Sequence, residues 1–184
     1  MATATAETTV SERQLVVFDL ATESYGIDIG AVREIIRMQE ITNVPRTPEF
    51  VEGVINLRGK VIPVVDLRKR FGLSVGEKSA ENRIVVVDIG GQDIGVIVDA
   101  VNEVLRIFTD SVEPPSSVIT TADSDYLMGI AKTQDKMIIL LDLQQVLNGA
   151  EEAPPPLSSP RGPDSETATS ETEHPASLDH ELGG

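Results

Sequence analysis

The chain repeats itself, and this limits its possible folds more than any single motif does. At a shift of 69 residues, Leu15-Val-Val-Phe-Asp-Leu20 lies over Ile84-Val-Val-Val-Asp-Ile89, Gly26 over Gly95, Val32 over Val101, Glu34 over Glu103 and Arg37 over Arg106. At a shift of 76, Phe50 lies over Tyr126, Gly53 over Gly129, Lys60 over Lys136, Ile62 over Ile138 and Asp66-Leu67 over Asp142-Leu143. Identities and apolar exchanges held in register over such lengths indicate an internal duplication into two units of roughly 70 residues. The apolar stretches are short and rich in Val and Ile, which suits strands. Small strand-rich units often close into barrels, because closure removes exposed edges.

In chain order, residues 1–12 are expected to be disordered. Leu15–Leu20 and Tyr25–Ile29 read as a hairpin. Ala31–Met38 has Val32, Ile35 and Ile36 at helical spacing, and at this length a short helix and extended chain are equally compatible with it. Pro45 and Pro48 punctuate a loop before a second hairpin, 51–65. After a polar connector, 72–82, the pattern restarts. Ile84–Ile89 turns at Gly90-Gly91 into Ile94–Val98, and Asp99–Arg106 repeats Gly30–Arg37. A longer loop, 111–125, leads to the hairpin Tyr126–Thr133 and Lys136–Leu141 and a short helix, Leu143–Asn148. From Gly149 the composition turns to Pro, Ser, Thr and Glu. Residues 150–184 hold too little apolar surface to offset the cost of ordering and are expected to be disordered. Such a tail serves as a spacer, a solubilising segment or a partner-binding segment.

The stretch Gly53-Val-Ile-Asn-Leu-Arg-Gly-Lys-Val-Ile-Pro-Val-Val-Asp-Leu-Arg68 carries most of the local detail. Gly59 accepts positive φ, which places a tight turn at Arg58-Gly59. Asp66 is positioned to cap a helix Leu67–Phe71, with Lys69 and Arg70 at its C-terminal end. Arg58 then stands at a hairpin tip, as a solvated turn residue or as a contact for another protein. Gly53 and Gly129 fall inside strands, where glycine marks a bulge or a close backbone approach, including that of a partner. Pro63 makes its strand an edge strand or a bulged one.

Few routes to catalysis are open. The sequence contains no Cys, and both histidines, His174 and His180, lie in the tail. The folded region therefore lacks a thiolate and the usual base near neutral pH. No glycine-rich phosphate loop occurs. Asp123-Ser-Asp125 lacks the spacing to a Glu that a calcium loop needs. Carboxylates alone can hydrolyse bonds, so Asp19 with Asp88 is the one hydrolase alternative. The simpler reading makes these two outward strand residues or partners of a cation, and makes Asp66 and Asp142 helix caps. No catalytic residue, metal ligand or cofactor is assigned.

The net charge is −15; residues 150–184 contribute −7 and residues 1–149 the other −8. An acidic body without a basic stripe argues against nucleic acid and anionic lipid as partners. No apolar run approaches the length of a membrane span, the N-terminus does not resemble a secretion signal, and a cytoplasmic location is expected. What remains is a surface for other proteins. Val32, Ile36, Val86, Ile94 and Val101 are either core or the lining of a groove between the two units that takes a partner helix.

Tyr25-Gly-Ile-Asp-Ile29, Pro45, Pro48, Asn56-Leu-Arg58-Gly59, Pro63-Val-Val-Asp66-Leu-Arg68, Gly95, Val98-Asp99 and Tyr126-Leu-x-Gly129 strongly resemble the bacterial chemotaxis coupling protein (CheW) family, over about Arg13–Asn148. The resemblance implies a mainly β fold: two intertwined five-stranded SH3-like barrels around separate cores, with short helices. The family-like domain would span 13–149, with repeat units at roughly 13–82 and 83–149. The resemblance also implies a non-catalytic adaptor between the cytoplasmic tip of methyl-accepting chemoreceptors and the regulatory domain of the histidine kinase CheA. In such arrays further copies join in rings beneath the membrane. An adaptor of the same type in a non-flagellar pathway, such as surface sensing or pilus motility, is the alternative. By position, Val32, Glu34, Asn56 and Arg58 correspond to receptor-contact positions. Gly53, Val86, Gly95 and Gly129 correspond to positions that couple to the kinase or shape the interface.

Overall fold

The computed structural model describes residues 11–116 and 125–148. Of the stretches expected to be disordered, 1–12 and 150–184, residues 1–10 and 150–184 lie outside the described residues, as do the loop residues Asp123 and Ser124. The described chain runs β1 (Glu12–Leu20), β2 (Glu23–Asp28), a 3-10 turn (Ile29–Ala31), β3 (Val32–Arg37), β4 (Val51–Leu57), β5 (Lys60–Asp66), α1 (Leu67–Arg70) and β6 (Arg83–Ile89). It continues with β7 (Gln92–Val98), β8 (Ala100–Phe108), a second 3-10 turn (Thr109–Ser111), β9 (Val112–Glu113), β10 (Leu127–Lys132), β11 (Met137–Leu141) and α2 (Leu143–Val146).

Two sheets form, in the orders β8-β1-β2-β11-β10-β9 and β3-β6-β7-β5-β4. Each is built on the first hairpin of one repeat. The third strand and second hairpin of the other repeat complete it. The expected intertwining is thus present, and no sheet belongs to one repeat alone. Each closes on a parallel pair, β2 with β11 and β5 with β7. One sheet has six strands rather than five, because β9 adds a short pairing to β10.

Several expectations are corrected. Residues 32–37, left open between a short helix and extended chain, are extended, with β3 paired to β6. Tertiary pairing decides a segment too short for periodicity to decide. β1 begins at Glu12, opposite Phe108, so residue 12, expected to be disordered, belongs to the first strand. The strand holding Pro63 is neither an edge strand nor bulged there: β5 lies between β7 and β4. Pro63 is tolerated because pairing with β7 begins only at Val64.

The cores are not simply separate. Leu15, Val17, Ile107, Ala131, Ile138 and Leu140 cluster within the six-stranded barrel. Ile55, Ile62, Val64, Ile84 and Val86 cluster within the five-stranded one. The largest cluster draws on both sheets, with Val16, Phe18 and Leu20 meeting Val85, Val87, Ile94 and Val96. β1 and β6 are therefore buried on both faces, which explains their unbroken apolar runs. The expected open groove between the units is filled by this shared core. Val86 and Ile94 are fully buried, and Val32, Ile36 and Val101 are half-buried against the clusters. Burial of each such side chain contributes about 1.5–3 kcal/mol.

The duplication extends to the irregularities. Register slips between Val51 and Gly53 in β4, and between Leu127 and Gly129 in β10. A Cβ on Gly53 would fall 2.0 Å from the carbonyl oxygen of Thr42; one on Gly129 would fall 2.7 Å from that of Glu113. Both glycines admit the chain's own backbone at a bulge, and the space imagined for a partner's backbone is occupied from within.

Candidate protein-docking site

The tip of the β4–β5 hairpin is a two-residue turn with Arg58 at φ 52° and Gly59 at φ 85°. Positive φ at both central residues is the type I′ pattern, whose twist matches the flanking strands. Asn56 fixes the turn: its Oδ1 accepts the Gly59 N–H at 2.8 Å. Arg58 thus adopts a conformation unusual for a side-chain-bearing residue, and the turn projects its guanidinium outward.

That guanidinium meets Glu34. Arg58 Nη1 and Nη2 donate to Glu34 Oε1 and Oε2 at 3.0 and 2.7 Å. The hydrogen bonds it donates to Glu34, then the charge of that carboxylate, raise the guanidinium pKa further above its ordinary value. β3 and β4 are the two ends of the five-stranded sheet, so the pair spans the barrel's seam. A bulge helps to place Glu34: register slips between Val32 and Glu34, and the side chain of the intervening Arg33 pairs with Asp88. Lys60 Nζ contacts Asp93 Oδ2 at 2.7 Å, with Arg33 Nε 3.8 Å from the other oxygen of Asp93. Next in sequence to Glu34 and Lys60, the apolar side chains of Ile35 and Val61 are exposed, at 41% and 50%.

The structure therefore brings Glu34, Asn56 and Arg58 together, with Val32 half-buried at the start of the same strand β3. Val86, Gly53, Gly95 and Gly129 are not on this surface; all four are buried. A Cβ on Gly95 would lie 2.8 Å from Ile84 Cγ2 and 3.3 Å from Val64 Cγ2, so Gly95 leaves room for the side chains of β6 and β5 on either side of it. Sequence reasoning missed the Lys60–Asp93 pair next to the tip and the exposure of Ile35 and Val61. It read Arg58 as a solvated turn residue or a contact for another protein, whereas its guanidinium is paired with the chain's own Glu34. The duplication held a clue, since Glu103, the counterpart of Glu34, also holds a hairpin cation, Lys136, at 2.8 Å.

The two carboxylates of the hydrolase alternative each hold a separate partner. Asp19 accepts from Ser24 Oγ at 2.8 Å, while Asp88 binds Arg33 and the Gly91 N–H. Asp66 and Asp142 cap α1 and α2 as expected, accepting from the N–H groups of Arg68 and Gln144 at 2.8 and 2.9 Å. Among the described residues, no group of three or more His, Cys, Asp or Glu is arranged to hold a metal. What the tip offers is a charged fork beside apolar side chains.

The CheW-like domain family matches residues 14–151. The chain belongs to the CheW-like domain family. Chemotaxis protein CheW of Klebsiella aerogenes is 35% identical over 142 residues, covering 77% of this chain and 85% of that protein. Its counterpart in Treponema pallidum is 32% identical, covering 75% and 84%. The crystal structure of the scaffolding protein TtCheW from Thermoanaerobacter tengcongensis superposes with a TM-score of 0.71 at 50% identity, covering 78% of this chain and 97% of that one. The mainly β, two-sheet architecture of this CheW-like chain is thus that of a known scaffold.

Proposed function

We propose that this chain is a non-catalytic adaptor that couples transmembrane chemoreceptors to the histidine kinase CheA. It works in the cytoplasm and is recruited to the inner face of the membrane through receptor arrays, where further copies of the chain join in rings. The observation that carries this reading is the exposed Glu34–Arg58 pair at the hairpin tip of a CheW-like domain. A guanidinium has five N–H donors, and Glu34 occupies two. The remaining donors are free to bind a carboxylate or helix-end carbonyls on the receptor tip, while Ile35 and Val61 take apolar contacts. Asn56 serves by holding the turn. Val32 and Glu34 set the strand beside it. Gly53, Val86, Gly95 and Gly129 act on coupling through the shape of the fold. The receptor's state then reaches the kinase as a shift in interface populations.

The test is co-sedimentation of the full chain with the CheA regulatory domain and a soluble receptor-tip fragment. Arg58→Glu is expected to lose receptor binding and retain kinase binding. The exchanged variant Glu34→Arg/Arg58→Glu restores the internal pair and is expected to remain defective. Recovery in the exchanged variant would show that the pair only braces the barrel, and undiminished binding by Arg58→Glu would overturn the assignment of the site.

A further inference from the structure

α1 makes contacts that its duplicate does not. Both helices are single turns capped by Asp66 and Asp142. At the 76-residue shift, Arg68, Arg70 and Phe71 of the first correspond to Gln144, Val146 and Leu147 of the second. α2 forms with its cap and with Leu143, Val146 and Leu147 buried, so a turn of this kind needs neither cations nor an aromatic ring.

In α1 those extra side chains all reach across to the other barrel's elements. Arg68 Nε and Nη2 donate to Asp99 Oδ1 and Oδ2 at 2.8 and 2.5 Å. Asp99 lies where the chain passes from β7 of the five-stranded sheet to β8 of the six-stranded one. Its Oδ2 also accepts the Ala21 N–H at 2.8 Å, in the β1–β2 turn. Ala21 has φ 56°, a value that its counterpart Gly90 (φ 60°) adopts without strain. Arg70 Nε donates to the Val146 carbonyl at 2.7 Å, and its guanidinium lies 5.1 Å over the Phe50 ring. Phe71 is stacked between Tyr25 and Tyr126, with centroids 5.7 and 4.9 Å away. A side chain on Gly76 would collide with the Arg68 guanidinium at 2.7 Å, so the following loop lies directly on it.

We propose that α1 is a relay that carries displacement of the β4–β5 hairpin into the six-stranded barrel. The hairpin has no joint before the helix, because Asp66 is both the last residue of β5 and the cap of α1. A shift at the Arg58 tip moves β5, and β5 moves three contacts with the β1–β2 turn, Tyr25 and α2. The relay rests on the adaptor reading only for what displaces the hairpin, and its test needs no partner.

The experiment is backbone amide NMR of the full chain. Arg58→Glu sets two carboxylates against each other at the tip. It is introduced into the natural background and into one carrying the α2 residues, Arg68→Gln with Phe71→Leu. In the natural background, shift changes are expected at Glu34 and Gly59 and also at Ala21, Tyr25 and Tyr126. In the altered background the local changes persist and those at Ala21, Tyr25 and Tyr126 fall by more than half. Absence of the distant changes in the natural background, or equal size in both, overturns the relay. Phe71→Leu alone and Asp99→Asn serve in the same way if the double replacement does not fold. Failure of the natural chain to bind the receptor-tip fragment, with this result intact, would sink the adaptor reading and leave the relay standing.

Discussion

At the scale of the residue, the glycines differ in why a side chain is excluded. Gly53 has φ 145° and faces the Thr42 carbonyl, a backbone atom that cannot yield without breaking the Thr42–Val54 bridge. Gly95 faces side-chain methyl groups, which can shift. Gly59 has φ 85° and open space around it. Urea unfolding should therefore rank the alanine variants. Gly53→Ala should cost more than about 3 kcal/mol. Gly95→Ala should cost about 1–3 kcal/mol from overpacking. Gly59→Ala should cost about 1 kcal/mol from conformation alone. A Gly59→Ala loss equal to that of Gly53→Ala would refute the distinction. The sequence marked Gly53 and Gly129 as bulge positions but left open whose backbone approached. Arg58 was legible as a tip residue, while Glu34 as its partner was not, because the bond joins residues 24 positions apart.

At the scale of the element, α1 is held by two carboxylates, its cap Asp66 and the Arg68 partner Asp99, that respond to pH in opposite directions. Burial, opposed in part by the N–H groups of Arg68 and Lys69, leaves the Asp66 pKa raised. A raised folded pKa contributes stability below the unfolded value, lost as pH rises through the folded value, so ionised Asp66 is a cost at neutral pH. Burial also pushes Asp99 upward, but bonds from Arg68 and the Ala21 N–H, with the Arg68 charge, outweigh it and leave the pKa lowered. Asp99 therefore stabilises the fold above its unfolded pKa, and the contribution is lost below about pH 4. In pH-dependent thermal melts, Asp99→Asn should lower stability at pH 7 and flatten the acid limb. Asp66→Asn, which keeps the cap, should be at least as stable as the natural chain at pH 7, whereas Asp66→Ala should lose about 1 kcal/mol. A steeper acid limb in Asp99→Asn would contradict the assignment. The strands and both capped turns were legible from β-branched runs and Asp placement. β3 was left open and β9 was missed, since a two-residue pairing leaves no period to read.

At the scale of the whole molecule, the repeat and the barrel are different units. Each sheet needs strands from both halves of the chain, and the largest core lies between the sheets. A fragment holding residues 13–82 should be unfolded alone, and mixing it with 83–149 should restore strand signal by circular dichroism. The intact chain should unfold in urea as one transition, with coincident midpoints for secondary structure and tyrosine fluorescence. An independently folded 13–82 fragment, or two separated transitions, would show that each repeat is self-sufficient.

The sequence by itself determined what is local or periodic. It set the duplication, the strands buried on both faces, the turn glycines, the Asp caps and the absence of His and Cys from the body. These follow from side-chain shape and from spacing along the chain. The tertiary structure alone decided which strands pair across the halves and that a shared core fills the space between the barrels. It also decided that Arg58 meets Glu34 and that α1 reaches the opposite barrel through side chains whose α2 counterparts are Gln144, Val146 and Leu147. Those outcomes depend on contacts between residues far apart in sequence, where pairing geometry and exclusion of water select one arrangement from several that the local pattern allows equally.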